Sequence, residues 1–222
     1  MNKPTIQPIN LGQTIGSGKA AGINEPNSYS AEYEMIKKSK TDNVETIDAK
    51  ILAKWIKKDG KVKIEENITI LPSSLSSNYL FFVLGGKYYS CMKSIFGEGY
   101  NCEEVSEANL LDNSKLYSFL KMFIPSFIKN NQQANYIGKR TIDKFTADCF
   151  EFITSNPTYG EVGAKGCFDA NTGIVVYVES RTKTLLPEGI GKTFLEETFT
   201  VTAKNIDLTS PSDSEFVLPS QQ

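Results

Sequence analysis

The chain has 222 residues, 24 Lys and Arg against 26 Asp and Glu, four cysteines and no histidine. That length suffices for one sizeable core, and the near balance of interleaved charges excludes a nucleic-acid-binding face. Without histidine, Ser/His/Asp and Cys/His nucleophilic sites, the usual metal ligands and the commonest general base are absent.

Residues 1–27 are rich in Gly, Pro, Asn, Gln and Ser and carry no sustained periodicity, the composition of a flexible linker or tether. From Tyr29 the pattern alternates: Tyr29, Ala31, Tyr33 and Met35 against Ser30, Glu32 and Glu34. Period two is the signature of a strand with one buried face. The same pattern places Ile47, Ala49, Ile51, Ala53 and Trp55 on one face of a second strand. Asp59-Gly60 then predicts a two-residue hairpin turn, with Val62 and Ile64 returning antiparallel. After the Pro/Ser segment 71–77, the run from Tyr79 to Leu84 meets Gly85-Gly86, predicting a second hairpin that reaches Cys91.

Between Ser106 and Asn130 the apolar period becomes helical. Leu116, Phe119, Leu120, Phe123 and Phe127 fall at i, i+3, i+4, i+7 and i+11, so one largely enclosed helix is expected, kinked or broken at Pro125. Ordinary core packing explains such a stripe. The functional reading is that Phe119, Phe123 and Phe127, with Tyr33, Ile51 and Trp55, line a cavity for an apolar ligand.

The segment 145–181 predicts a stapled meander of strand, long loop, short strand, tight turn and strand. Its turn is Asp169-Ala-Asn-Thr-Gly173 and its last strand begins at Ile174. The final strand carries Phe199, Val201 and Ala203 on one face, and residues 206–219 are expected to run out as a polar tail, with 220–222 beyond the domain.

The cysteines form two local pairs by spacing, Cys91 with Cys102 and Cys149 with Cys167. Disulfides are the expected reading, against four buried thiols or a metal site, because CxxC knuckles and histidine are both missing. Asn67-Ile-Thr69 is a glycosylation sequon that fits an exported chain. No signal peptide and no apolar run of membrane-spanning length is visible, so export would require a targeting segment already removed.

Other motifs read as structural. Gly189-Ile-Gly-Lys-Thr193 resembles the end of a phosphate-binding loop, but Leu186 stands at the first-glycine position and a strand pattern follows. Gly16-Ser-Gly-Lys19 lies in the linker. Asp169-Ala-Asn171-Thr-Gly173 begins like a calcium loop but lacks the later carboxylate, so a hairpin turn is expected there and no metal. Glu196 and Glu197 read as a solvated strand edge rather than a catalytic pair, and neither an enzyme nor a cofactor is expected.

Three stretches together carry a family resemblance: Asp148-Cys149-Phe150, Cys167-Phe-Asp-Ala-Asn-Thr-Gly173, and Asp213-Ser-Glu-Phe-Val-Leu-Pro219. They resemble the outer-membrane-lipoprotein carrier superfamily of LolA, LolB and LppX-like proteins and extracytoplasmic archaeal relatives, over residues 29–219. The resemblance implies an α+β fold over 28–219: a strongly curved antiparallel half-barrel with a hydrophobic helix on its concave face and a cavity for lipid. It also implies a non-enzymatic, extracytoplasmic domain, tethered to a membrane through a removed N-terminal anchor, with no envelope protein partner identified by the sequence. A structural or adhesive envelope module whose core is filled by its own side chains is the alternative.

Overall fold

A computed structural model describes residues 25–41, 44–93, 99–123, 135–156, 160–185 and 194–219. Its strands are β1 (Ser28–Thr41), β2 (Val44–Lys58), β3 (Lys61–Ile70), β4 (Leu75–Leu84), β5 (Lys87–Lys93), β6 (Tyr100–Val105), β7 (Asn135–Ile142), β8 (Phe145–Asn156), β9 (Gly160–Asp169), β10 (Val175–Leu185) and β11 (Phe194–Asp207). They pair in the order β6-β5-β4-β3-β2-β1-β11-β10-β9-β8-β7, which leaves β6 and β7 as terminal strands. The sheet has eleven strands in that order, and every pairing described below is antiparallel.

The chain divides into two compact units. Among the described residues, the first takes 25, 37–41, 44–46, 135–156, 160–185 and 194–202, and the second takes 26–36, 47–93, 99–123 and 203–219.

In the first unit Cys149 and Cys167 are directly opposed across β8 and β9 and joined by a disulfide. Both are fully buried, and Phe150 and Phe168 meet edge to face with centroids 6.1 Å apart. Asp169 caps the turn into β10: its Oδ2 accepts from the Thr172 amide at 2.9 Å and the Thr172 hydroxyl at 2.7 Å. Gly173, with φ of +70°, supplies the left-handed residue that the turn needs. The long loop expected between the two cysteines is corrected: β8 runs on to Asn156 and β9 begins at Gly160, so most of the excursion is a strand hairpin. The cross-strand register carries through Gly163 and Gly166, opposite Ile153 and Phe150, so glycines that read locally as loop lie inside β9. Glu196 and Glu197 lie on β11 and pair at the surface with Lys183 and Lys37 respectively. The segment 186–193, with its loop-like glycines, lies outside the described residues.

In the second unit both predicted hairpins form. Asp59 and Gly60 have φ of +46° and +81°, and Gly85 and Gly86 have +58° and +81°. Two consecutive positive φ angles are what a tight two-residue turn between twisted strands requires. Cys91 and Cys102 are opposed across β5 and β6 and bonded.

The expected helix over 106–130 is corrected. Two short helices, α1 (Glu107–Asn113) and α2 (Lys115–Ser118), are followed by a π-helical turn, Phe119–Phe123. Ser114 divides them. Its amide donates to the Leu110 carbonyl and closes α1, while its hydroxyl accepts from the Tyr117 amide and opens α2. A serine that caps a new turn competes with continuation of the old one. Phe127 and Pro125 lie outside the described residues.

The polar tail is corrected as well. Strand β11 extends to Asp207, and Asp213–Phe216 forms a 3-10 turn whose Phe216 is buried. Lys61 sits over the Phe216 ring, and Lys63 and Glu215 pair at 2.9 Å, so one aromatic and its neighbouring charges dock the segment on β3.

Candidate functional site

The site is one face of the second unit. Cross-strand partners project to the same side, so register defines the face. Trp55, Ile64 and Phe81 form one row across β2, β3 and β4; Ala53, Glu66 and Tyr79 the next; Ile51, Ile68 and Ser77 the third; Ala49, Ile70 and Leu75 the fourth. Glu34 pairs with Lys50, on the opposite face, and this places Tyr33 and Met35 of β1 on the Trp55 side.

Burial falls steadily along these rows. Trp55, Ile64 and Phe81 are at most 6% exposed, whereas Ile70 is 53% exposed, Leu75 68% and Ile47 46%. Helices α1 and α2 roof the closed end, where Leu110, Leu116 and Tyr117 are buried and Tyr117 stacks on Trp55 with centroids 6.3 Å apart. The open end keeps the same apolar alternation without that cover.

A buried carboxylate stands between the two ends. Glu66 accepts from the Ser114 hydroxyl at 2.7 Å, the Leu116 amide at 2.8 Å and the Lys115 amide at 3.4 Å. Burial pushes its carboxyl up from the ordinary range, against the opposing pull of these donors and of the Lys115 charge. The donors still satisfy an acidic group that would otherwise be costly on an apolar face. Among the described residues, Trp55 Nε1 is the one buried side-chain nitrogen or oxygen with no hydrogen-bond partner. Tyr117, buried and donating to Glu107 at 3.1 Å, has its hydroxyl pushed far above the usual tyrosine range, chiefly by burial.

Of the residues read from sequence, Tyr33, Ile51 and Trp55 share this buried face. Phe119 is half-buried in the π-helical turn, and Phe123 ends that turn. Sequence reasoning missed Glu66 and Ser114, and it missed that Ile47, Ile70 and Leu75 stay exposed. Alternation through Ile64, Glu66 and Ile68 was the available signal, since a carboxylate on the apolar phase of a strand requires donors.

The other face of the unit carries a hollow of about 590 Å³ beside Leu52, Asn67, Asn78 and Tyr100. Asn67 Nδ2 donates to Asn78 Oδ1 at 2.6 Å there. The first unit has a smaller, charged hollow of about 280 Å³ around Gly163, ringed by Lys165, Glu179 and Arg181.

The fold is of the class implied by the sequence resemblance, an antiparallel sheet accompanied by short helices. No family model and no curated protein matches the chain. Solved structures similar to it include a domain described as an outer membrane lipoprotein-sorting protein from Vibrio parahaemolyticus, at 11% identity and TM-score 0.36, covering 86% of this chain and 89% of that one. A LolA superfamily protein from Nitrosomonas europaea is similar at 11% identity and TM-score 0.35, covering 96% and 98%. MucB, solved in complex with MucA(peri), is similar at 13% identity and TM-score 0.40, covering 86% of this chain and 54% of that one.

Proposed function

We propose that the chain is a non-enzymatic, extracytoplasmic module that binds a lipid or other hydrophobic ligand on the open end of the Trp55 face. The observation that carries this reading is the burial gradient along a single apolar face, closed at Trp55 and open at Ile47, Ile70 and Leu75. An acyl chain laid along the open rows removes apolar surface from water at about 25 cal/mol per Å², so covering about 200 Å² is worth on the order of 5 kcal/mol. In this reading the Trp55 face is the concave face of the half-barrel and the roofing helices form its lid. Tyr33, Ile51 and Trp55 make the floor, and Phe119 of the π-helical turn stands on the lid side. The two disulfides support a location outside the reducing cytosol. Residues 1–27 would serve as the tether to a membrane.

The test is mass spectrometry of an organic extract of protein purified from an exporting host without detergent. Co-purifying lipid at stoichiometric amounts is the expected result. Lipid-free protein that also fails to take up a dye-labelled fatty acid would overturn the proposal.

The second reading, a structural or adhesive envelope module with a self-filled core, draws on the closed end. There Tyr117 stacks on Trp55, and Leu110, Leu116, Ile64 and Phe81 are all buried. It predicts that the exposed end stays unliganded in both assays.

A further inference from the structure

We propose that Asn67 carries an N-linked glycan whose first sugar lies over Leu52 in the hollow on the face opposite Trp55. The sequon Asn67-Ile-Thr69 is in β3, and its asparagine projects away from the roofed core because Glu66 and Ile68 occupy the inward phase. Leu52 is the direct cross-strand partner of Asn67 and is 54% exposed, an apolar side chain left bare beside a polar acceptor. The adjoining hollow, about 590 Å³ and walled by Tyr100 and Asn78, has room for a sugar ring.

The hydrogen bonding is compatible with the modification. A side-chain amide has two N–H groups, and Asn67 uses one on Asn78 Oδ1 at 2.6 Å. Transfer from a polyprenyl-pyrophosphate-linked oligosaccharide replaces the other. The amide nitrogen bonds to the anomeric carbon, the bond from that carbon to the phosphate oxygen breaks, and the lipid pyrophosphate departs with the electron pair. The amide proton passes to a base of the transferring enzyme. The remaining N–H keeps Asn78 as its acceptor, so the strand pairing survives. Thr69 supplies the hydroxyl that the sequon requires, and that hydroxyl shares a hydrogen bond with the Ser76 hydroxyl at 3.1 Å.

The experiment is to secrete the full chain from a host competent for N-glycosylation and to analyse the Asn67 peptide by mass spectrometry before and after amidase removal of glycans. Glycan at Asn67 is expected in the parent and in Thr69→Ser, and complete loss in Thr69→Ala. Enzymatic deglycosylation should lower the thermal midpoint of the parent by a measurable shift that Leu52→Ser largely abolishes. Unmodified Asn67 in the folded, secreted parent overturns the site. A glycan whose removal leaves the midpoint unchanged overturns its placement over Leu52.

Discussion

Glu66 and Ser114, 48 positions apart, meet at 2.7 Å in the closed interior of the second unit, and the serine is also the residue at which two helices join. One carboxylate thus ties the helical roof to β3. Glu66→Ala strips an acceptor from the Ser114 hydroxyl and the Leu116 amide while both stay buried. A loss of about 2 to 3 kcal/mol is expected in urea unfolding. Ser114→Ala removes the cap as well and should cost about 1 to 2 kcal/mol. The double variant should lose less than the sum, because both changes break the same contact, and strict additivity would show that the contact carries no coupling.

Acid should act on two glutamates with opposite signs. The Lys50 amine beside Glu34, aided by Lys204, holds the Glu34 carboxyl below its ordinary value of 4.5. Its stabilising contribution is present above that value and is lost as pH falls through the lowered one. Glu66 runs the other way, since burial raises its carboxyl above 4.5. Its contribution is full below that value and is lost as pH rises through the raised one. Stability measured against pH should therefore lose part of its acid-side slope in Glu34→Gln. The stability of Glu66→Gln relative to the parent should rise as pH goes from 4.5 toward neutral.

Trp55 buries a large ring but leaves its Nε1 without a partner. Trp55→Phe keeps an aromatic ring facing Tyr117 and deletes the orphan donor, so its thermal unfolding should show a loss under about 1.5 kcal/mol. Trp55→Ala should lose about 3 to 5 kcal/mol. Equal losses in the two variants would mean that the indole nitrogen is satisfied in solution.

Each disulfide closes a short loop, with a sequence separation of 11 for Cys91 and Cys102 and of 18 for Cys149 and Cys167. Replacing either pair by alanine should cost on the order of 3 kcal/mol in denaturant unfolding. Peptide mapping of the non-reduced parent should find both local pairings and no crossed ones.

Much of this architecture was legible in the residues themselves. Asp59-Gly60 and Gly85-Gly86 announced their hairpins because few other residues tolerate two consecutive left-handed positions, and the cysteine spacings announced the two local disulfides. The helix break at Ser114 was hidden because the apolar period runs straight through it, and the break depends on Glu66, distant in sequence. Phe216 was hidden in a polar tail because its burial depends on Lys61 and Lys63 of another strand. The open end of the Trp55 face was hidden for a related reason: periodicity assigns Ile47, Ile70 and Leu75 to the inward phase, but cover is a tertiary property.

Binding of a dye-labelled fatty acid by the parent and by Ile70→Lys/Leu75→Glu, whose opposite charges face each other across β3 and β4, measured by fluorescence titration, tests the central claim most directly. Both side chains are more than half exposed, so each change should leave stability within about 0.5 kcal/mol. The parent should bind the fatty acid saturably, and the double variant, equally stable, should lose at least about tenfold in affinity. Equal affinity in the two proteins, or no binding by the parent, would contradict the assignment of the open end as a ligand surface.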